Sequence, residues 1–358
     1  MKKIISFKLK ASNNDNLISK LSGLKWDDFQ KELAKIYHQT KDLNLVLDLL
    51  WQTQLAAGFI SKDVFAYVNN ITKIESPNEK IKFVIECNPA RLNRGTSASK
   101  IVNPVNILPG KNIPCFCCLE NIKAGWPIER GFEITLNKKQ YVFLPNPAPL
   151  FSKHFTLAAK THQAQIMDIS AVLAASAKIK NLWVAQNGAN AGASNPWHLH
   201  LQIADVEFPI TNIPALISKN TKFVDSYLIS EKLDYLFSVY RFKFDYASPK
   251  VVNYLTKLQN YYLSLDPNNR LTYVVKNSGN GFELYITLRS ALKEKVASYS
   301  ENVGYPEPLG FLATPYEKEK NDWVCDGLPR YKKVLEELSI DQNYIRKFES
   351  FMGLNQSV

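Results

Sequence analysis

The stretch NPWHLHLQIAD, Asn195–Asp205, sets two kinds of side chain in alternation. His198, His200 and Gln202 occupy every second position, with Leu199, Leu201 and Ile203 between them. Successive side chains of a β-strand point to opposite faces. The aliphatic set therefore anchors a strand to a core, and the nitrogen-bearing set shares the other face. That face suits metal ligation, a nucleophile or hydrogen bonding to a ligand; a strand face turned to solvent is the plain alternative.

The rest of the chain supplies a sheet for that strand. Residues up to about 75 read as helical, with apolar spacing of three and four in KWDDFQKELAKIYHQ and KDLNLVLDLLWQTQLAAG. FEITLNKKQYVFLPNPAPLF reads as a hairpin ending in a Pro-rich turn, and HFTLAAKTH as a strand. QAQIMDISAVLAASAKI follows as a helix, LWVAQNG as a strand, and QNGANAGASNPW as a loop of small residues. The last third offers the helix SPKVVNYLTKLQNYYLSL, strands LTYVVKN and FELYITLRS, and a final helix YIRKFESFMG. This order predicts an α+β fold built round an antiparallel sheet flanked by helices. The expected division is a helical segment over 1–75, a catalytic half over 76–245, and a second α+β half over 246–358 packed on it as one catalytic unit.

Composition narrows the partners. The chain has 358 residues, 46% hydrophobic and 22% charged, as expected of a globular protein. It has no apolar run of membrane-spanning length, and MKKIISFKLK lacks the apolar core of a secretory signal, so a cytoplasmic site is expected, with signal-free export left open. The formal net charge of +11 favours anionic partners. The lysines are scattered and no RNA-binding signature is present, so a small phosphate-rich substrate is expected rather than nucleic acid. Five cysteines, three of them in PCFCC, do not read as a disulfide framework; a metal site or buried thiols fit better.

Of five histidines, His154, His162, His198 and His200 fall in the central segment, while His38 sits alone in a helix and reads as structural. The loop with Gly188, Gly192, Ala193 and Ser194 lets backbone N–H groups approach phosphate oxygens. A neutral imidazole is a competent nucleophile at phosphorus, provided its far nitrogen is fixed. A glutamine two residues on can bind the transferring phosphate without reacting. The basic run NPARLNRGTSASK contains Arg91, Arg94 and Lys100. Arg91 is the preferred phosphate or substrate contact, with a solvated turn as the alternative, and Arg289 is a second candidate. The acidic residues show no paired pattern of the general acid/base kind.

QNGANAGASNPWHLHLQI resembles the active-site stretch of the galactose-1-phosphate uridylyltransferase group of the histidine-triad (HIT-like) superfamily, which carries an Asn, a Gly/Ala-rich loop, a Ser and then His-x-His-x-Gln. Diadenosine tetraphosphate phosphorylases and GDP-L-galactose phosphorylases share it. CNPARLNRGTSASK, PCFCCLEN and NPAPLFSKHFTLAAKTHQAQ are similar to a bacterial branch near those phosphorylases. The resemblance spans about residues 83–205. It implies that His200 is the nucleophile that becomes nucleotidylated, that Gln202 binds phosphate, and that His198 completes the catalytic motif. It further implies substrate contacts by Ser194, Gly192, Asn187 and, on the nucleotide side, Asn146. The group reads Ser-Asn-Pro-His-x-His, whereas this chain inserts Trp197, which shifts Ser194 by one residue.

The same resemblance implies a structural zinc on Cys115, Cys118, His162 and His198, with His154 as substitute ligand should His162 point away and otherwise a packed or substrate-facing residue. The alternative is that the cysteines are buried apolar residues. The expected activity is nucleotidyl transfer in a ping-pong scheme, of the phosphorylase type, with a nucleotide or nucleotide sugar and phosphate or a sugar phosphate as partners. The other readings are a hexose-1-phosphate uridylyltransferase, a HIT-like nucleotide hydrolase, and a non-catalytic nucleotide-binding protein. The oligomeric state is left open, a homodimer included.

Overall fold

The computed structural model describes residues 11–68, 70–75, 81–93, 104–110, 113–223 and 226–354. Helices α1 (Ala11–Ser22), α2 (Trp26–Thr40), α3 (Leu43–Ala56) and α4 (Lys62–Ala66) open it, as the apolar spacing predicts. Asp42 caps α3 by accepting from the Leu45 N–H at 3.1 Å. This satisfies one of the four N–H groups that a helix start leaves without a partner.

The strands follow as β1 (Ile71–Glu75), β2 (Lys82–Cys87), β3 (Ile107–Leu108) and β4 (Ile113–Pro114). After α5 (Leu119–Gly125) come β5 (Phe132–Leu136), β6 (Lys139–Pro145) and β7 (His154–Ala159). Then come α6 (Ile169–Lys178), β8 (Trp183–Asn187), β9 (His200–Ala204), β10 (Ala215–Lys222), β11 (Tyr227–Leu233) and β12 (Val239–Phe244). The chain continues through α7 (Pro249–Ser264), β13 (Asn269–Asn277), β14 (Phe282–Ser290), β15 (Phe311–Thr314), α8 (Glu317–Leu338) and α9 (Gln342–Met352).

Ten strands form one antiparallel sheet in the order β10-β11-β12-β14-β13-β8-β9-β7-β6-β5. It runs through residue 245 without a break, because β12 pairs with β14 and β13 with β8. The sheet separates two cores. On one face, Leu199, Leu201 and Ile203 pack with residues of α3, α6, α7 and α9. On the other, Trp183, Ala185 and Ala204 pack with a small sheet, β1-β2-β15, and with α8. In that small sheet β15 lies parallel to β2, with Phe311 opposite Val84.

Four features differ from expectation: residues 71–75, expected in the helical segment, form β1 against β2; His198, expected on the strand, lies in the bend before β9; and two helices depart as follows. The helix expected from Gln163 begins only at Ile169, where Asp168 accepts from the Ala171 N–H at 3.0 Å. The preceding residues are engaged elsewhere: Leu199 N–H donates to Gln163 O (2.7 Å) and Gln165 N–H to Pro196 O (3.0 Å). Helix α8 was not expected, because Gly327 and Pro329 punctuate it. The structure accommodates them with a kink, Gly327 lying at φ 55°.

Candidate active site

The strand face deduced from the alternation exists. His200 and Gln202 of β9 stand opposite Ala158 and Thr156 of β7, and Gln202 stands opposite Ala185 of β8. Small neighbours leave the imidazole and amide side by side on the face away from the leucines.

His200 is buried, and its Nδ1 lies 2.8 Å from the His198 carbonyl oxygen. A carbonyl only accepts, so Nδ1 carries the hydrogen and Nε2 keeps its lone pair. Burial lowers the pKa of His200 below the ordinary histidine value, which favours the neutral ring.

Gln202 is oriented by a partner that sequence reasoning assigned elsewhere. Leu150 N–H donates to His154 Nδ1 at 3.2 Å, so the hydrogen of that ring sits on Nε2. Nε2 in turn donates to Gln202 Oε1 at 3.0 Å. The amide oxygen is thereby fixed toward His154, and the Gln202 NH2 group is presented as a donor.

Asn187 ends β8 and donates from Nδ2 to Gly192 O at 2.9 Å, closing the small-residue loop on itself. Gly192 has φ +96°, and a Cβ there would run into Val303 and Gly304, so only glycine fits. Its N–H donates to Glu294 Oε1 at 3.3 Å. Ser194 is exposed at the far end of the loop. Asn146 accepts the Ala148 N–H on Oδ1 at 3.0 Å, and Arg91 donates to Ala148 O at 2.7 Å, so these two meet at the turn that leads to His154. Arg94 and Lys100 lie outside the described residues. Arg289 is fully buried and donates to the carbonyls of Val303 (3.0 Å), Gly304 (3.1 Å) and Lys293 (3.3 Å). Its guanidinium holds the segment that backs Gly192.

Cys115, Cys118, His162 and His198 converge, each offering one ligand atom, all within 4.8 Å of one another. Cys118 Sγ is 3.2 Å from His162 Nδ1, and Cys115 Sγ is 3.3 Å from His198 Nδ1. His198 Nε2 donates to Ala159 O at 2.6 Å, which leaves its Nδ1 lone pair facing the sulfurs. Asn195 and Asn106 each donate an amide N–H to a sulfur, Cys115 and Cys118 respectively, at 3.3 Å. The hydrogen bond between the two thiols holds Cys115 well below the ordinary thiol range and pushes Cys118 above it, so one of the pair is readily a thiolate. A tetrahedral ion with ordinary Zn–S and Zn–N bonds needs ligand atoms roughly 3.3–3.8 Å apart, so the four donors can hold a metal. Cys117 is buried beside the cage and is not one of the four.

Glu86 on β2 is fully buried and neither carboxylate oxygen has a hydrogen-bond partner among the described residues. Burial pushes it up to about 8, against the opposing influence of Arg91 and Asn88.

A family model described as a domain of unknown function (DUF4922) matches residues 50–205, a region that contains the cage, His154, His198 and β9. No curated protein matches the chain. Among solved structures, yeast Ap4A phosphorylase Apa2 in complex with Ap4A superposes with a TM-score of 0.51 at 12% identity, over 78% of this chain and 97% of that one. The same enzyme in complex with AMP gives 0.50 at 13% identity, over 79% and 95%. At this identity the likeness establishes architecture. The chain has a mixed α+β fold that is similar to that of the yeast Ap4A phosphorylase.

Proposed function

We propose that the protein transfers a nucleoside monophosphate through a covalent intermediate on His200, as a phosphorylase-type nucleotidyltransferase. The observation that carries this reading is the Nδ1–H to His198 O bond at 2.8 Å, which leaves Nε2 as the free nucleophilic nitrogen next to Gln202. Apa2, whose structures hold Ap4A and AMP, makes a dinucleoside polyphosphate the first substrate to try.

In the first step His200 Nε2 attacks the α-phosphorus. An N–P bond forms, the bridging P–O bond breaks, and a phosphorylated leaving group takes the electron pair. The ring becomes cationic, and its Nδ1–H remains held by the His198 carbonyl. In the second step an oxygen of inorganic phosphate, or of a sugar phosphate, attacks from the vacated side. The N–P bond breaks, its electrons return to Nε2, and a nucleoside diphosphate or nucleotide sugar is released. Two displacements replace one difficult encounter of anions. The Gln202 NH2 group donates to the charge that builds on the phosphoryl oxygens. Asn146 and Arg91 serve the nucleotide side, and Asn187, Gly192 and Ser194 shape the phosphate side.

Zinc is the metal the cage suits: two thiolates and two neutral imidazoles make a closed site of the structural kind. Bound there on Cys115, Cys118, His162 and His198, it would tie the loop before α5 to the catalytic strand and take no part in the reaction. The glutamine at 202, where HIT hydrolases carry histidine, favours transfer over hydrolysis.

Intact-protein mass spectrometry after incubation with Ap4A and a panel of nucleotides and nucleotide sugars tests the proposal. The expected result is one nucleoside monophosphate on His200, discharged by phosphate. A nucleotide sugar that labels the protein where Ap4A does not would instead favour the uridylyltransferase reading. No adduct with any donor, or an adduct that survives His200→Ala, overturns it.

A further inference from the structure

The registered pairing of β8 with β9 runs from Trp183 opposite Ala204 to Ala185 opposite Gln202 and goes no further. Carried on past Gln186 and Leu201, the same register would set Asn187 opposite His200 as the next hydrogen-bonding pair. A side chain lies between them. Gln165 Oε1 accepts the His200 N–H at 2.8 Å, and Gln165 Nε2 donates to His200 O at 3.0 Å and to Asn187 O at 2.9 Å. The amide is buried, and its own backbone N–H is tied to Pro196 O. Gln165 thus stands in for the ladder at the point where the glycine loop leaves β8 and the nucleophile enters β9. Paired strands lie about 4.8 Å apart, and an amide bonded on both sides holds them at roughly twice that.

We propose that Gln165 is a positioning residue for the His200 site. It wedges the ends of β8 and β9 apart so that a phosphoryl group can enter between the loop and Gln202, and it fixes the peptide that carries the nucleophile. The proposal rests on the nucleotidyl-histidine reading. The backbone matters here because the His200 ring is oriented by a carbonyl only two residues back, so movement of the His198–His200 peptides turns the ring. Without the wedge, three buried backbone groups lose their partner: His200 N–H, His200 C=O and Asn187 C=O. Their nearest remedy is to zip up by one more pair, which closes the gap.

The test compares wild type with Gln165→Leu, which keeps volume without hydrogen bonds, and Gln165→Glu, which keeps only the acceptor for His200 N–H. Two readouts are used. The first is the rate of His200 labelling by the nucleotide that labels wild type best, with metal content and melting temperature as controls. Expected is labelling roughly 100-fold slower in Gln165→Leu, with less loss in Gln165→Glu and the bound metal retained in both. Labelling within threefold of wild type in Gln165→Leu overturns the proposal. The second readout needs no substrate: amide hydrogen exchange at His200 and the nitrogen-15 signature of its ring. Expected is fast exchange and a mixed tautomer in Gln165→Leu against slow exchange and a single tautomer in wild type. Unchanged exchange and tautomer overturn the proposal. Should wild type accept no nucleotide, the transfer reading fails, and the second readout still decides whether Gln165 orders the strand. If Gln165→Leu does not fold, Gln165→Glu carries both measurements.

Discussion

His198 and His200 are the same residue type, two positions apart, both buried, each with one ring nitrogen bonded to a backbone carbonyl. They differ in which nitrogen. His198 commits Nε2 to Ala159 O and turns Nδ1 to the two sulfurs. His200 commits Nδ1 to His198 O and keeps Nε2. The placement of a carbonyl, more than the chemistry of the side chain, decides which ring nitrogen each histidine leaves open: Nδ1 toward the sulfurs for His198, Nε2 for His200. The outer surroundings differ in the same sense. His198 sits among donors that complete a closed cage, while His200 sits beside an amide that a second imidazole has aimed.

The largest effect comes from breaking the pair on one side. His200→Ala should lower nucleotide labelling by roughly 10⁴-fold or more, as removal of a nucleophile does, and leave metal content by elemental analysis unchanged. Loss of metal in that variant would show that the two roles are not separable.

Breaking the other side should reverse the pattern. Cys115→Ser or His198→Ala should lower metal affinity by at least roughly 100-fold and depress the melting temperature, because site formation and folding are linked. Chelation of wild type should do the same. A melting curve indifferent to both would mean that the cysteines are only buried thiols.

A smaller effect sharpens the contrast within the reactive half. His154→Phe keeps the ring against Phe151 but removes the donor to Gln202. Labelling should slow by roughly tenfold, about the worth of one hydrogen bond. The loss should be absent when Gln202 is already alanine, which a double-mutant cycle would read out.

The last test concerns stability alone and a buried acid with no such aim. The folded-state pKa of Glu86, about 8, lies above the ordinary 4.5, so the folded protein holds this proton more tightly than the unfolded chain. The resulting stability is complete below about pH 4.5 and lost as pH rises through 8. Glu307, raised to about 7 by burial, contributes in the same direction. Glu86→Gln should therefore flatten the fall in stability between pH 5 and 8.5, by on the order of 4 kcal/mol at most, read from melting curves across that range. An identical slope in the variant would assign the fall to other groups.

Much of the site is legible in the sequence because it is written in short periods. Alternation from His198 to Ile203 places the histidines on one face and the aliphatics in the core. The Cys-x-x-Cys pair and the two histidines of the cage are recoverable because each belongs to a recognisable block. The roles of Gln165 and His154 are not legible. Each depends on hydrogen bonds to groups 22 to 48 residues away, and a glutamine or histidine leaves no local pattern announcing such a bond. Arg289 misleads for a related reason: a guanidinium at a strand end reads as an anion contact, yet here it satisfies carbonyls of the chain. Helix α8 is hidden because Gly327 and Pro329 are breakers in isolation, while burial of Trp323, Tyr331 and Leu335 on either side of the kink outweighs them.

The parallel pairing of β15 with β2 joins residues more than two hundred positions apart. During synthesis, β2 emerges more than two hundred residues ahead of the strand it pairs with. Pairings this distant in sequence form slowly, so Glu86 and the basic turn after it are among the last parts of the molecule to mature. A chain shortened ahead of Phe311 would carry every histidine of the site and still leave β2 without its parallel partner.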